Sequence, residues 1–151
     1  MACNNQEENR GGMNAHVSER ALREIYLKGY EIAIREARPQ AIMTGHNLVN
    51  GVNAAESYDL LTTASREEWG FDGLVMTDWG TTTKAGQKTK YGPSDCDGCI
   101  RAGTGLIMPG SKDDLREIIS AVQSGRLSRM DLRWCAWNIL RVMQRLYQEG
   151  H

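Results

Sequence analysis

The chain has almost no net charge, −1 from 18 Lys+Arg against 19 Asp+Glu, and only one Phe, three Pro and three His among 151 residues. Near-neutrality excludes the strong basic field that holds nucleic acid or an anionic lipid surface. No run approaches the roughly 20 apolar residues of a membrane span. The polar start, Met1-Ala2-Cys3-Asn4-Asn5, has no apolar core of a secretory leader, and localisation stays open. No G-x-x-x-x-G-K-S/T or G-x-G-x-x-G follows a strand-like segment, so nucleotide binding has no support. Gly103-x-Gly105 mimics a phosphate loop only loosely, and turn chemistry accounts for it better. A G-x-S-x-G elbow is missing too, so no serine triad assembles from motifs. There is no internal repeat, and the only long polar stretch is Gly80 to Pro93.

Four cysteines are present, Cys3, Cys96, Cys99 and Cys135. Cys96-Asp97-Gly98-Cys99 has the C-x-x-C spacing of a zinc knuckle or redox pair, but a zinc site needs a second pair of ligands. His16, His46 and His151 are scattered singly, which leaves the motif without its partner half. A zinc or redox protein is thus the least favoured reading. The thiols are expected free, with Cys96 and Cys99 on a short helix and Cys135 on the apolar face of a later one. No metal or cofactor is expected.

Hydrophobic content of 40 % suits a globular α/β chain with one core. Residues 1–16 read as an Asn- and Gly-rich loop. Ser18 caps a helix running to about Ala37, with Leu22, Ile25, Tyr26, Gly29, Ile32 and Ala33 on its inward face. Ala41-Ile42-Met43-Thr44 reads as a buried strand. A helix from about Ser57 to Trp69 follows, with Leu60, Leu61 and Ala64 inward. Further on come a short helix from Ser94 and a third strand at Leu106-Ile107-Met108. Ser111-x-x-Asp114 and Ser128-x-x-Asp131 have the form of capping boxes. The two helices they open carry the stripes Leu115, Ile118, Ile119, Val122 and Leu132, Cys135, Ala136, Ile139, Leu140, Met143, Leu146, Tyr147, with Gly125 between them. Strand-helix alternation of this kind argues for βαβ units with parallel strands.

The most informative run is Glu68-Trp69-Gly70-Phe71-Asp72-Gly73-Leu74-Val75-Met76-Thr77-Asp78-Trp79-Gly80. Gly70 suits the left-handed conformation that ends a helix, and Asp72-Gly73 turns the chain. Leu74 to Thr77 lacks the alternation of a half-exposed strand, so both of its faces are expected to be covered. Asp78 follows directly. A carboxylate at the C-terminal end of a parallel strand sits where α/β enzymes place their chemistry, although Asp is also a common helix cap there. Trp79 offers an aromatic floor for a sugar pocket.

This run resembles the nucleophile segment of glycoside hydrolase family 3, the β-glucosidase and β-xylosidase family, in which the Asp of an S/T-D-W triplet attacks the anomeric carbon. Four more segments resemble that family in the same order. They are Cys3-Asn4-Asn5-Gln6-Glu7 with Arg10, Val17-Ser18-Glu19-Arg20-Ala21-Leu22-Arg23-Glu24-Ile25-Tyr26-Leu27, Ala41-Ile42-Met43-Thr44-Gly45-His46-Asn47-Leu48-Val49-Asn50-Gly51, and Ala102-Gly103-Thr104-Gly105-Leu106-Ile107-Met108-Pro109-Gly110. The resemblance covers nearly the whole chain.

The resemblance implies an α/β fold, a partial (β/α)8 TIM barrel comprising roughly the C-terminal half. A complete barrel typically needs about 250 residues, so residues 1–151 are expected to form a single, incomplete domain. It also implies hydrolysis of a β-linked glucoside or xyloside with retention, with Asp78 as nucleophile, Trp79 and His46 as substrate contacts, and no metal. The family draws its general acid from a separate domain, and no residue here matches that motif. Its Lys-His pair would lie just upstream of Met1, its usual aromatic is His46 here, and Gly105 stands where Asp or Asn is usual. Glu7, Arg10, Glu67, Glu68 and Asp72 are weaker site candidates. The chain alone is expected to be inactive and to self-associate through its open edge. A non-catalytic carbohydrate-binding or structural half-barrel is the alternative of a different class.

Overall fold

The computed structural model describes residues 1–6, 8–82 and 90–149. Its centre is a parallel pair, β2 (Ala41–Met43) and β5 (Leu74–Met76), with Ala41, Ile42 and Met43 opposite Leu74, Val75 and Met76. The parallel arrangement continues on both sides. Met1 donates its amino group to Met43 O at 3.1 Å and accepts from Gly45 N at 3.1 Å, which sets residues 1–3 beside β2. On the far side Leu106 bridges Met76 in parallel, with Thr77 N donating to Leu106 O at 2.9 Å. Val75 is wholly buried, whereas Leu74 and Met76 are only half-buried, so coverage of β5 is less complete than its composition suggests.

The expected third strand at Leu106–Met108 is a single bridge. Met108 N turns away from the ladder and donates to the Thr77 hydroxyl at 2.8 Å. Pro109 follows, and it has no N–H with which to extend the pairing. A second small sheet lies beside the first, with β1 (Asn14–Ala15) parallel to β3 (Leu48–Val49) and β3 antiparallel to β4 (Val52–Asn53). Asn50 and Gly51, at φ 51° and 88°, make the two-residue turn between β3 and β4. Asn-Gly is the pair that tolerates positive φ at both turn positions.

Ser18 caps the first helical rod, its Oγ accepting from Ala21 N at 3.3 Å. The rod runs through α1 (Glu19–Ala21), a wide turn at Leu22–Tyr26, α2 (Lys28–Ile32) and a second wide turn at Ala33–Ala37. In the first wide turn Leu27 N reaches back five residues to Leu22 O at 2.8 Å. Such π-type turns move the inward face. Leu22, Leu27 and Ile34 are buried, while Ile25 and Ile32 are 68 % and 45 % exposed, so the 3–4 spacing chose the wrong stripe.

The next helix, Asp59–Glu68, is also wide-turned, with Trp69 N bonded to Ala64 O at 3.1 Å. It buries Leu60, Leu61 and Ala64 as its pattern requires. These side chains join Leu22, Leu27, Ile34, Ile42, Trp69, Phe71 and Val75 in the main core. Gly70, at φ 78°, ends the helix. Arg66 then holds the turn into β5, donating to Gly73 O at 3.1 Å and lying 5.2 Å over the Phe71 ring.

A smaller cluster of Ile100, Ala121, Leu127 and Cys135 joins α3 (Cys96–Arg101), α4 (Lys112–Gln123) and α5 (Arg129–Glu149). At Ser111 the cap is reciprocal: Asp114 N donates to Ser111 Oγ at 3.1 Å, and that hydroxyl donates to Asp114 Oδ2 at 2.6 Å. Ser128 caps through Met130 N at 3.0 Å. Both helices bury a narrower face than their stripes suggest. Leu115, Ile119, Leu140, Met143 and Leu146 are exposed, and buried Asn138 and Val142 lie on the inward side of α5. Among the described residues no helix is long and apolar enough to cross a membrane.

All four cysteines are buried and free. Burial pushes the Cys96 and Cys99 thiols far up and the Cys135 thiol to about 11. Cys96 Sγ donates to Asp114 Oδ1 at 3.3 Å. Thiols held in this protonated form are inert as nucleophiles.

Candidate active site

Asp78 leaves the C-terminal end of β5 two residues after its last paired position. Thr77 enforces this placement, because its buried hydroxyl is anchored to Met108 N while its own N–H bonds Leu106 O. The Asp78 carboxylate is engaged at both oxygens. Oδ1 accepts from Trp79 N at 2.6 Å, and Oδ2 lies 3.2 Å from His46 Nε2. His46 arrives from the loop after β2, at the same end of the parallel pair, and its side chain is only 4 % exposed against 21 % for that of Asp78. Its other ring nitrogen, Nδ1, lies 3.3 Å from the Thr81 hydroxyl. A direct bond from His46 to a sugar hydroxyl would require the ring to give up one of these partners.

Asp78 lines an open cleft of about 540 Å³ together with Met1 to Asn5, Met43, Thr44, Ile25, Tyr26 and Tyr30. Apolar and aromatic walls with a few polar atoms are the usual composition of a small-molecule site. The Met1 amino group is lowered to about 6, chiefly by burial, with the negative charge of Asp78 opposing the shift. Trp79 is not among the residues lining the cleft, and its side chain stands 64 % exposed. The structure therefore brings Asp78 and His46 into contact, while neither the His46 ring nor the indole lines the cleft of Asp78.

Neighbouring Asn47 is fully buried and ties the loop after β2 to the chain start, donating to Ala2 O at 3.0 Å. Glu68 and Asp72 lie at the other end of β5, before Leu74, where each pairs with a guanidinium. Glu68 accepts from Arg23 at 2.9 Å and Asp72 from Arg145 at 3.0 Å. Those bonds hold both carboxyls below their ordinary range. Glu67 is exposed on the same helix end. Glu7 lies outside the described residues, and Arg10 opens a single 3-10 turn, Arg10–Gly12.

Comparison with known proteins decides the family. Residues 5–142 match the model of the glycosyl hydrolase family 3 N terminal domain. The chain belongs to glycosyl hydrolase family 3. It is 40 % identical over 147 residues to β-glucosidase B of Emericella nidulans, covering 96 % of this chain and 16 % of that protein. It is also 40 % identical over 132 residues to an exo-α-(1→6)-L-arabinopyranosidase of Bifidobacterium breve, covering 87 % of this chain and 16 % of that one. The solved structure of β-glucosidase 3B from Thermotoga neapolitana, in complex with α-D-glucose, superposes with a TM-score of 0.83 at 39 % identity, covering 94 % of this chain and 19 % of that one. The α/β architecture is thus that of the family 3 glucosidases, and the chain spans about one sixth of the length of these curated relatives.

Three residues around the site, Thr81, Tyr26 and Tyr30, were not read as site residues from the sequence. Thr81 belongs to no motif and enters only because the chain turns back after Gly80. Tyr26 reads as a helix-face residue and Tyr30 draws no reading, yet both wall the cleft. Aromatics at helical spacing carry no mark that separates a cleft wall from a core contact.

Proposed function

We propose that this chain carries the nucleophile side of a retaining glycosidase site for β-linked glucosides or xylosides, and that residues 1–151 form one incomplete domain, the C-terminal half of a (β/α)8 barrel. The observation that carries the reading is the position of Asp78, directly after a parallel strand, facing a cleft and contacted by His46 from the loop of the neighbouring strand. Four parallel chain positions in series, at residues 1–3, β2, β5 and Leu106, support the half-barrel.

In this mechanism the ionised Asp78 carboxylate attacks the anomeric carbon while the bond to the leaving oxygen breaks. The product is a glycosyl ester on Asp78, which water then opens with net retention. Trp79 N–H and His46 orient the carboxylate. The Trp79 ring, exposed and next in sequence to Asp78, is the aromatic surface assigned to stack on the sugar. The leaving oxygen takes its proton from a second carboxyl group about 5–5.5 Å from the nucleophile in retaining enzymes. Glu68 and Asp72 are committed to arginines at the opposite end of β5, and the family resemblance implies an acid from a separate domain.

A fluorosugar test separates the two halves of this claim. A 2-deoxy-2-fluoroglucoside with a dinitrophenolate leaving group needs no acid, and it is expected to label the pure chain on Asp78, as read by peptide mass. Ordinary aryl β-glucosides should turn over about 10²–10⁴-fold more slowly than with a full-length family 3 glucosidase, the usual contribution of acid catalysis. Label on another residue would overturn the nucleophile assignment. Full-rate turnover would place the acid within this chain.

The same reading predicts association. Among the described residues no strand pairs beyond residues 1–3 or beyond Leu106, and Trp134, Trp137, Leu140 and Met143 are 46–60 % exposed along α5. Open edges and contiguous apolar surface favour pairing. Sedimentation is expected to show dimers or larger species, or else a marginal thermal transition. A strictly monomeric sample with a cooperative, high-temperature melt would contradict the open-edge account.

A further inference from the structure

Thr81 stands between the two groups of the site, and its hydroxyl settles where their protons lie. Thr81 Oγ1 is 2.9 Å from Asp78 O and 3.3 Å from His46 Nδ1. A carbonyl oxygen can only accept, and a hydroxyl has a single proton to give. The shorter contact takes that proton, so the hydroxyl meets Nδ1 with a lone pair and Nδ1 must be the donor. On the opposite side of the ring, Nε2 faces Asp78 Oδ2 at 3.2 Å. A neutral imidazole has one N–H, already directed at Thr81. A bare Nε2 facing an ionised carboxylate would set two lone pairs against each other beside a buried ring. One further proton therefore lies on the Nε2–Oδ2 axis.

We propose that Thr81 is a positioning residue that fixes His46 with Nδ1–H toward the loop and thereby stores one proton between His46 and Asp78. The meaning of this proton for catalysis rests on the reading of Asp78 as nucleophile, but its placement does not. The stored proton neutralises the pair while the cleft is empty. Once the sugar is esterified to Asp78, it also stabilises the carboxylate as the group that departs when water opens the ester. Ser94 N donates to Thr81 O at 3.0 Å, which holds the Thr81 backbone in place. Thr81 is itself buried, which keeps water from competing for Nδ1.

Nitrogen-15 spectra of the full 151-residue chain at pH 7, with His16→Gln and His151→Gln used only to assign signals, read the placement directly. The expected His46 pattern has protons on both Nδ1 and Nε2, with the Asp78 carboxylate left ionised; a bare Nε2 would overturn the stored proton. A neutral ring with the proton on Nε2 and a bare Nδ1 would overturn the proposal, since the Thr81 hydroxyl would then be donating to the ring. Thr81→Ser keeps the hydroxyl and should reproduce the wild-type pattern. Thr81→Val removes it at similar volume and should lose the Nδ1 proton signal in favour of Nε2–H. A Val variant with the wild-type pattern would equally overturn the role. If that variant fails to fold, the wild-type and Ser spectra still decide. Asp78 labelling by the fluorosugar is read separately, so failure of the nucleophile assignment and failure of the Thr81 lock are distinguishable.

Discussion

Asp78→Ala, made in a full-length family 3 glucosidase whose corresponding segment is replaced by residues 1–151, is expected to lower kcat on the order of 10⁴-fold or more. Residues that make or break the covalent bond carry losses of that size, because the remaining machinery retains only binding and charge stabilisation. The loss should fall on kcat and leave KM little changed, since the carboxylate forms its decisive bond only in the transition state. Azide supplied to the Ala variant should occupy the vacated space and restore turnover of an activated aryl glucoside, giving a glycosyl azide of inverted configuration. His46→Gln should be milder, because Trp79 N–H still binds Oδ1 at 2.6 Å. A loss below about tenfold for Asp78→Ala would be too small for a nucleophile and would return the residue to a turn or capping role.

The second large effect concerns Gly73, which admits the chain to β5. A Cβ added there would collide with Gln40 O and lie 2.8 Å from both Gln40 C and Phe71 Cε2. Gln40 O is also the acceptor for Leu74 N at 2.9 Å, the bond that opens the pairing of β2 with β5. The neighbour in the way is backbone, so no rotamer change relieves the clash. Gly73→Ala is expected to cost at least the roughly 1–3 kcal/mol typical of overpacking. For a chain of this size that corresponds to a melting midpoint lower by roughly 2–12 °C. Because the strand that carries Asp78 is displaced, the fluorosugar label should fall in parallel. Gly29→Ala is the control: nothing lies within 4 Å of a Cβ there, and it sits inside α2. Helix propensity predicts a gain of roughly 0.5–1 kcal/mol from that change. Equal melting points for the two variants would mean that the close approach at Gly73 is not tight.

Local chemistry made part of this protein legible in its sequence. Ser18 and Ser111 cap because a hydroxyl one turn ahead of free backbone N–H groups has no better partner. Gly70 ends its helix because it alone at that point takes φ 78° without strain. The apolar run after Gly73 made β5 and delivered Asp78 beyond its end, and five ordered motifs carried the family. The hairpin of β3 and β4 at Asn50-Gly51 was not read, because strands of two residues each are too short to show alternation.

The rest depended on contacts between distant segments. The 3–4 count chose Ile25 and Ile32 for the first rod, and the wide turns gave the core Leu27 and Ile34 instead. The outer stripes of α4 and α5 are apolar in sequence, but a face is buried only where another element covers it. Leu106–Met108 reads as a strand, yet the Thr77 hydroxyl draws Met108 N out of the ladder. Trp79 follows Asp78 in sequence and still does not line its cleft, since adjacent side chains leave the backbone in different directions. Thr81 and His46, 35 residues apart, meet only because the loops after β2 and β5 emerge at the same end of a parallel pair. The sequence by itself determined the family, the helix ends and the residue at the tip of β5. Tertiary structure decided which faces are covered and which groups surround Asp78, because burial and proton placement depend on neighbours that no local pattern encodes.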